Sequence, residues 1–447
     1  MSSVRVSVGV LFAGLFVVSC YVGGAYLWGK TFGGTKPDAG QAVAFDADGN
    51  RFVAGSFRGS ADFGGGALTS DGEDIFVAKY SPAGVLQWSK HFGSTGFNRA
   101  EGIALDRSGN VIVVGGFTGA VDFGGGPLSS AGGFDVFVAK FSAAGAHLWS
   151  RAFGNAQDDL AYAVAVDEGD DIVVTGTFYG RVDFGGGILT GWTRDTFVAK
   201  YTAFGEHVWS RNFSTGYGFS TGNGIATDGN GNVVVVGFLQ AEVDFGAGPV
   251  TSAGAKDVFM AKYSPEGDYL WARTFGNTRD DVANGVAVSA NDDIVITGSF
   301  YGPVDFGGGP LASDPSDVFV AKYSSTGAHE WSLSFGDLGA DTGYGVAVDP
   351  SGNVVIAGEF RGTVDFGRGP ITGPGNQDIF VAKYSPVGAP LWARAFGGDD
   401  NDGARAAAVD GAGNVLVTGI FAGEAFLGSD LVTSAGSTDV FLTELSR

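Results

Sequence analysis

The sequence predicts an all-β chain folded as a single seven-bladed β-propeller of four-stranded antiparallel blades, and three observations carry that reading. Trp28, Trp88, Trp149, Trp209, Trp271, Trp331 and Trp392 recur at intervals of 60 to 62 residues, so one unit is repeated seven times. Each unit returns four apolar, strand-length segments rich in Val, Ile or Phe, as in EGIALD, NVIVVGGF, DVFVAKF and HLWSRAF. The composition agrees, because 78 glycines and 13% aromatic residues among 447 suit sheets joined by tight turns. Four such strands cannot bury both faces alone, and stacking seven copies around an axis solves this by closing a ring.

The elements follow in chain order. A tight turn such as Asp106-Arg107-Ser108-Gly109-Asn110 joins the first two segments, and one such as Ser142-Ala143-Ala144-Gly145 joins the last two. Their Asp, Ser and Gly residues supply side-chain caps and positive φ. The other connections are longer, so short turns and long loops fall on opposite ends of each blade. The recurring Trp is expected to pack between neighbouring blades. The chain opens on a Trp strand, Ala25 to Phe32, and closes on a third segment, Asp439 to Leu445. The N-terminal strand is therefore expected to join the last blade and lock the ring.

The start of the chain has a different character. Arg5 is the only charge before Lys30, and an apolar run from Val6 to Val18 leads into Ser19-Cys20. This pattern predicts a signal peptide over 1–19, a short lipidated linker over 20–25 and the propeller over 26–447. The run is too short for a comfortable transmembrane helix. Cys20 is the only cysteine, which excludes intramolecular disulfides and marks it as the lipid anchor. Tyr21 after it carries no acidic retention signal, so an exported lipoprotein of the outer membrane or cell surface is expected. A net charge of −22 disfavours nucleic acid and favours cations or basic partners.

The pattern DxFVAKYSxxGxxxWxxxFG followed by GxAVAVDxxGNVVVTG resembles the bacterial SBBP repeat family, named for the seven-bladed β-propeller. The resemblance spans residues 26–447 and implies fold and export, with no shared catalytic role. This chain departs from that pattern in an added VDFGGGxL loop, which degenerates in the last repeat to Ala425-Phe426-Leu427-Gly428.

Three sets of aspartates recur. Asp74, Asp135, Asp195, Asp257, Asp317, Asp378 and Asp439 precede the third segment in every copy and are read as structural caps. Lys79, Lys140, Lys200, Lys262, Lys322 and Lys383 on that segment are expected to seek acidic partners, and Glu444 replaces the lysine in the last copy. Asp62, Asp122, Asp183, Asp244, Asp305 and Asp365 lie in the glycine loop, and Asp38, Asp159, Asp281, Asp341 and Asp402 ten residues after each Trp, with Asn98 at the same offset. Both of these sets are expected at the long-loop end, as Asx turns or as calcium ligands. Trp192, Tyr217 and Phe219 break the repeat there and are candidate ligand contacts. His91, His147, His207 and His329 are scattered over separate copies, so no catalytic constellation forms by spacing and no catalytic residue is named.

The leading expectation is a monomeric, non-catalytic envelope scaffold that binds a protein or glycan through its long-loop face, without a certain cofactor. Alternatives are a glycoside-processing hydrolase using loop carboxylates, calcium-dependent adhesion, and a purely structural repeat protein.

Overall fold

A computed structural model describes residues 23–93, 95–213, 218–313 and 315–447, in which each blade is a four-stranded antiparallel sheet, that of blade six being extended by the hairpin of Glu424–Leu427 and Asp430–Thr433. From the axis outward, blade one takes Ala39–Phe45, Arg51–Asp62, Ala67–Tyr80 and Leu86–Phe92. Blade seven takes Gly403–Val409, Val415–Phe421 and Asp439–Leu445 from the end of the chain. Its outermost strand is Tyr26–Phe32, antiparallel to Asp439–Leu445, with Phe32 opposite Val440 and Tyr26 opposite Leu445. The chain is a seven-bladed β-propeller. The closure expected from the sequence is the one observed. The signal and anchor residues, including Cys20, lie outside the described residues.

The two middle strands of each blade are buried over their central apolar segments, as in Val111–Phe117 and Asp135–Phe141, which is why they read as continuous apolar runs. Blades are joined by a repeated polar clasp. Lys140 pairs with Asp106 of its own short turn at 2.8 Å and donates to the Ala203 carbonyl of the next blade at 3.1 Å; Trp149 Nε1 donates to the same carbonyl at 3.1 Å. Lys79 with Trp88 on Ala143, Lys200 with Trp209 on Pro265, and Lys322 with Trp331 on Pro386 repeat the arrangement. The lysines have thus found the acidic partners their position called for, and the indoles pack between blades.

The junction between blades six and seven departs from this pattern, because the chain's two terminal segments meet where the next outer turn belongs. Gly24 donates to the Ser446 carbonyl at 3.0 Å and Ser446 to the Ala25 carbonyl at 2.8 Å, rebuilding that turn across the seam. Trp392 Nε1 is left buried with no hydrogen-bond partner among the described residues, whereas Trp331 Nε1 is bonded. Removing a used donor costs about 1 kcal/mol, and removing an unsatisfied one relieves a penalty. Denaturant unfolding should therefore show Trp331→Phe to be about 1 kcal/mol more destabilising than Trp392→Phe. Equal losses would contradict the assignment.

Candidate functional site

Every innermost strand carries a β-bulge at the same place, between Gly40 and Ala42 in blade one and between Ala404 and Ala406 in blade seven. The extra residue is Gln41, Glu101, Tyr162, Asn223, Asn284, Tyr344 or Arg405 in successive blades, and together these seven line an axial channel of about 230 Å³. A glycine of the neighbouring strand makes room for each bulge. A Cβ at Gly55, Gly176 or Gly237 would sit 2.0, 1.9 or 1.8 Å from a carbonyl oxygen of the inner strand.

This ring is where the copies differ, and the long-loop mouth above it differs too. Glu73 accepts from Arg58 at 2.6 Å and from Arg99 of the next blade at 2.9 Å. Burial alone would raise the Glu73 carboxyl, but these arginines hold it below the usual range. Across blades six and seven, Glu359 accepts from Arg405 at 3.1 Å and from Tyr344 Oη at 3.2 Å, and the Arg405 guanidinium lies 4.5 Å from the Tyr344 ring centre. Arg194 donates to Tyr162 Oη from blade three. Phe97, 50% exposed beneath Arg58, and Trp192, 75% exposed, add apolar surface to this end. Sequence reasoning missed the ring, although the varying residue inside otherwise constant segments such as AGQAVAF and LAYAVAV was a visible signal.

The predicted residues divide clearly. Trp192 stands exposed on the long-loop end, held through its backbone N–H on Asp195 at 3.0 Å. Phe219 is half-buried against Phe238, with ring centres 6.1 Å apart. Tyr217 lies outside the described residues. Asp38, Asp159, Asp281, Asp341 and Asp402 are buried, and each accepts two backbone N–H groups, as Asp159 does from Asn155 and Tyr179 at 2.8 Å each. They tie the connector between blades to the end of the second strand.

The glycine-loop set does not lie at the long-loop end, and that expectation is corrected. Phe63, Phe123, Phe184, Phe245, Phe306 and Phe366 tuck inward and stack on the third strand, as Phe184 does on Phe197 at 4.3 Å. This folds the loop back along the outermost strand until Gly125 and Gly186 rest on His147 and His207, at the short-turn end. Each aspartate there caps its own glycines, as Asp62 does with Gly64 at 2.7 Å and Gly66 at 3.0 Å, and Asp122, Asp183, Asp244, Asp305 and Asp365 repeat this. The last repeat keeps the hairpin despite its degenerate sequence, with Leu427 buried in place of Phe and Tyr26 Oη donating to Asp430 at 2.8 Å. Among the described residues no three Asp, Glu, His or Cys side chains gather as a metal site.

The buried aspartates make stability depend on pH. Burial pushes Asp159, Asp281 and Asp341 up to about 7 and Asp38, Asp135 and Asp378 up to about 6, partly opposed by backbone hydrogen bonds. The third-strand aspartate of one blade adjoins the inner-strand aspartate of the next, which favours a shared proton. A raised folded-state value means the native state holds protons the unfolded chain releases, so this contribution is full below about pH 4 and lost as pH rises towards 7. Asp106, Asp228 and Asp349 are held low by hydrogen bonds from lysine and asparagine that outweigh burial, so theirs is lost as pH falls below about 4. Thermal unfolding should therefore give a higher midpoint at pH 5 than at pH 8. A midpoint that climbs from pH 5 to pH 8 would contradict this reading.

No family model matches the chain. It is 24% identical to an uncharacterized WD repeat-containing protein of Acanthamoeba polyphaga mimivirus, over 89% of this chain and 36% of that protein. It is 26% identical to the regulatory protein FlaEY of Caulobacter vibrioides, over 77% of this chain and 39% of that one. The chain thus spans less than two fifths of the length of these curated relatives. Among solved structures, Sqt1 from Chaetomium thermophilum aligns over 95% of this chain and 99% of its own, with 11% identity and a TM-score of 0.45. The WD40 β-propeller domain of Doa1 aligns over 78% and 93%, with 11% identity and a TM-score of 0.32.

Proposed function

We propose that the chain is an exported, lipid-anchored scaffold that binds a protein or glycan through its long-loop end, with the axial mouth at the centre of the contact. One observation carries this reading: residues common to all seven copies serve the fold, whereas the copy-specific ion pairs and channel residues, the closing Arg51–Glu444 pair apart, collect around the axis and the long-loop mouth. A symmetric scaffold acquires a unique surface only where its copies diverge. The mixture there of paired arginines, tyrosines, amides and exposed Phe97 and Trp192 suits a polar rim with aromatic anchors.

The test surveys the anchored protein over glycan and peptide arrays and in detergent extracts of its own envelope. A ligand kept by Phe204→Ala, on the short-turn end, and lost with Tyr162→Ala or Arg405→Ala supports the reading. Loss with Phe204→Ala alone would move the contact to the opposite end. For the anchor, Cys20→Ser should release the protein from membranes, and unchanged fractionation would remove lipidation from the account.

A further inference from the structure

We propose that the axial channel binds a primary ammonium group, with the Glu101 carboxylate as its counter-charge. This rests on the axial reading above and names the chemistry that channel accepts. Glu101 stands in the bulge of blade two, on the ring between Gln41 and Tyr162. Among the described residues it makes no hydrogen bond or ion pair, whereas Glu73 of the preceding blade and Glu359 of blade six are each engaged by arginine. Burial in the channel pushes its carboxyl up to about 7, against the pull of Arg99 and with the push of Glu73.

Further round the ring, blades four and five offer acceptors. Asn223 donates its amide N–H to the Ala283 carbonyl and Asn284 to that of Gly343, each at 3.0 Å. Those bonds fix the amides and leave each Oδ1 as an acceptor. Tyr162 adds an aromatic ring beside Glu101. The single cation of the ring, Arg405, is drawn away onto Glu359 and Tyr344. A carboxylate beside an aromatic ring suits the charge of an ammonium group, and the amide oxygens further round the channel add acceptors for its N–H donors. Calcium needs six to eight oxygens around one point, which seven separate strands with one carboxylate do not supply.

The approach is favourable from the far end as well. The short-turn end of the axis carries Glu168 and Asp292 beside Arg107, with Asp167 and Asp228 paired to Lys200 and Lys262, in a chain of net charge −22. That field concentrates cations at the entrance.

The ammonium could belong to a free polyamine or to a lysine side chain of a partner, and two probes separate them. Calorimetric titration of the full chain in detergent would use spermidine and N-acetyl-lysine methylamide, with N-acetyl-norleucine methylamide as the neutral control. One-to-one binding of either amine, weakened at least tenfold by Glu101→Gln and several-fold by Asn284→Ala, is the expected result. Spermidine binding alone assigns a polyamine, and binding of the lysine derivative assigns a side chain. Unchanged melting of Glu101→Gln verifies its fold. Binding of norleucine equal to lysine, equal affinity in Glu101→Gln, or no binding of either amine at millimolar concentration overturns the proposal. A long-loop partner that still binds Glu101→Gln normally would show that the ammonium reading alone had failed.

Discussion

Glu444→Ala is expected to cost about 3–5 kcal/mol, because it leaves a buried cation without its partner at the one junction that closes the ring. Glu444 stands where six other copies carry lysine, and Arg51 stands where their second strands begin with Val111, Ile172, Val233, Ile294, Val354 or Val415. The two are buried against each other, and Trp28 Nε1 donates to the same carboxylate at 3.0 Å. Arg51 also reaches the Ser81 carbonyl at 2.7 Å and covers the Trp28 ring at 4.6 Å. One residue of this cluster comes from the N-terminal strand, one from blade one and one from the last strand of the chain. The charge exchange therefore marks the closing junction as different from the other six. A double substitution Arg51→Val with Glu444→Lys recreates the common clasp, since Asp410 already stands in the blade-seven turn. Urea unfolding should find the double variant more stable than either single one. Losses below about 1 kcal/mol, or strictly additive losses, would show that the pair does not lock the ring.

The second large effect concerns the bulge that builds the channel. Gly237→Ala places a Cβ 1.8 Å from the Thr221 carbonyl oxygen, a backbone atom that cannot turn aside. The expected cost is about 3 kcal/mol, the upper end for overpacking, with displacement of Asn223 from the ring. Gly411→Ala is the matched control, because nothing lies within 4 Å of its Cβ position, and it should change stability by no more than about 0.5 kcal/mol. Similar behaviour of the two variants in denaturant titrations would contradict the role given to the second-strand glycines.

Much of this architecture was legible in the chain itself. Seven tryptophans at a constant interval determine the blade count, and continuous apolar runs mark the two buried middle strands. The orphan Trp strand at one end and the missing one at the other determine the closure. Local turn chemistry was equally readable, since Asp-x-Gly-x-Gly caps itself within five residues. Contacts remote along the chain were not. Glu444 was visible as an exception, but its partner Arg51 lies 393 residues away. The glycine loop was assigned to the wrong end because strand order gives its point of departure, while the inward Phe decides where it goes. The channel ring escaped for another reason. A search for agreement among copies passes over the one position in each inner strand at which they disagree, and the bulge that turns that position towards the axis leaves no spacing signature.

The most direct test of the central claim, that the divergent long-loop mouth is the working surface, is a photo-crosslinking scan in intact cells. A photoreactive phenylalanine analogue would be placed singly at Phe97, Trp192 and Leu338 on the long-loop end, and at Phe204 and Val387 on the short-turn end, all exposed positions. The account predicts discrete adducts from the first group, diminished when Tyr162→Ala and Arg405→Ala are added, and none from the second. Adducts confined to Phe204 and Val387 would contradict it.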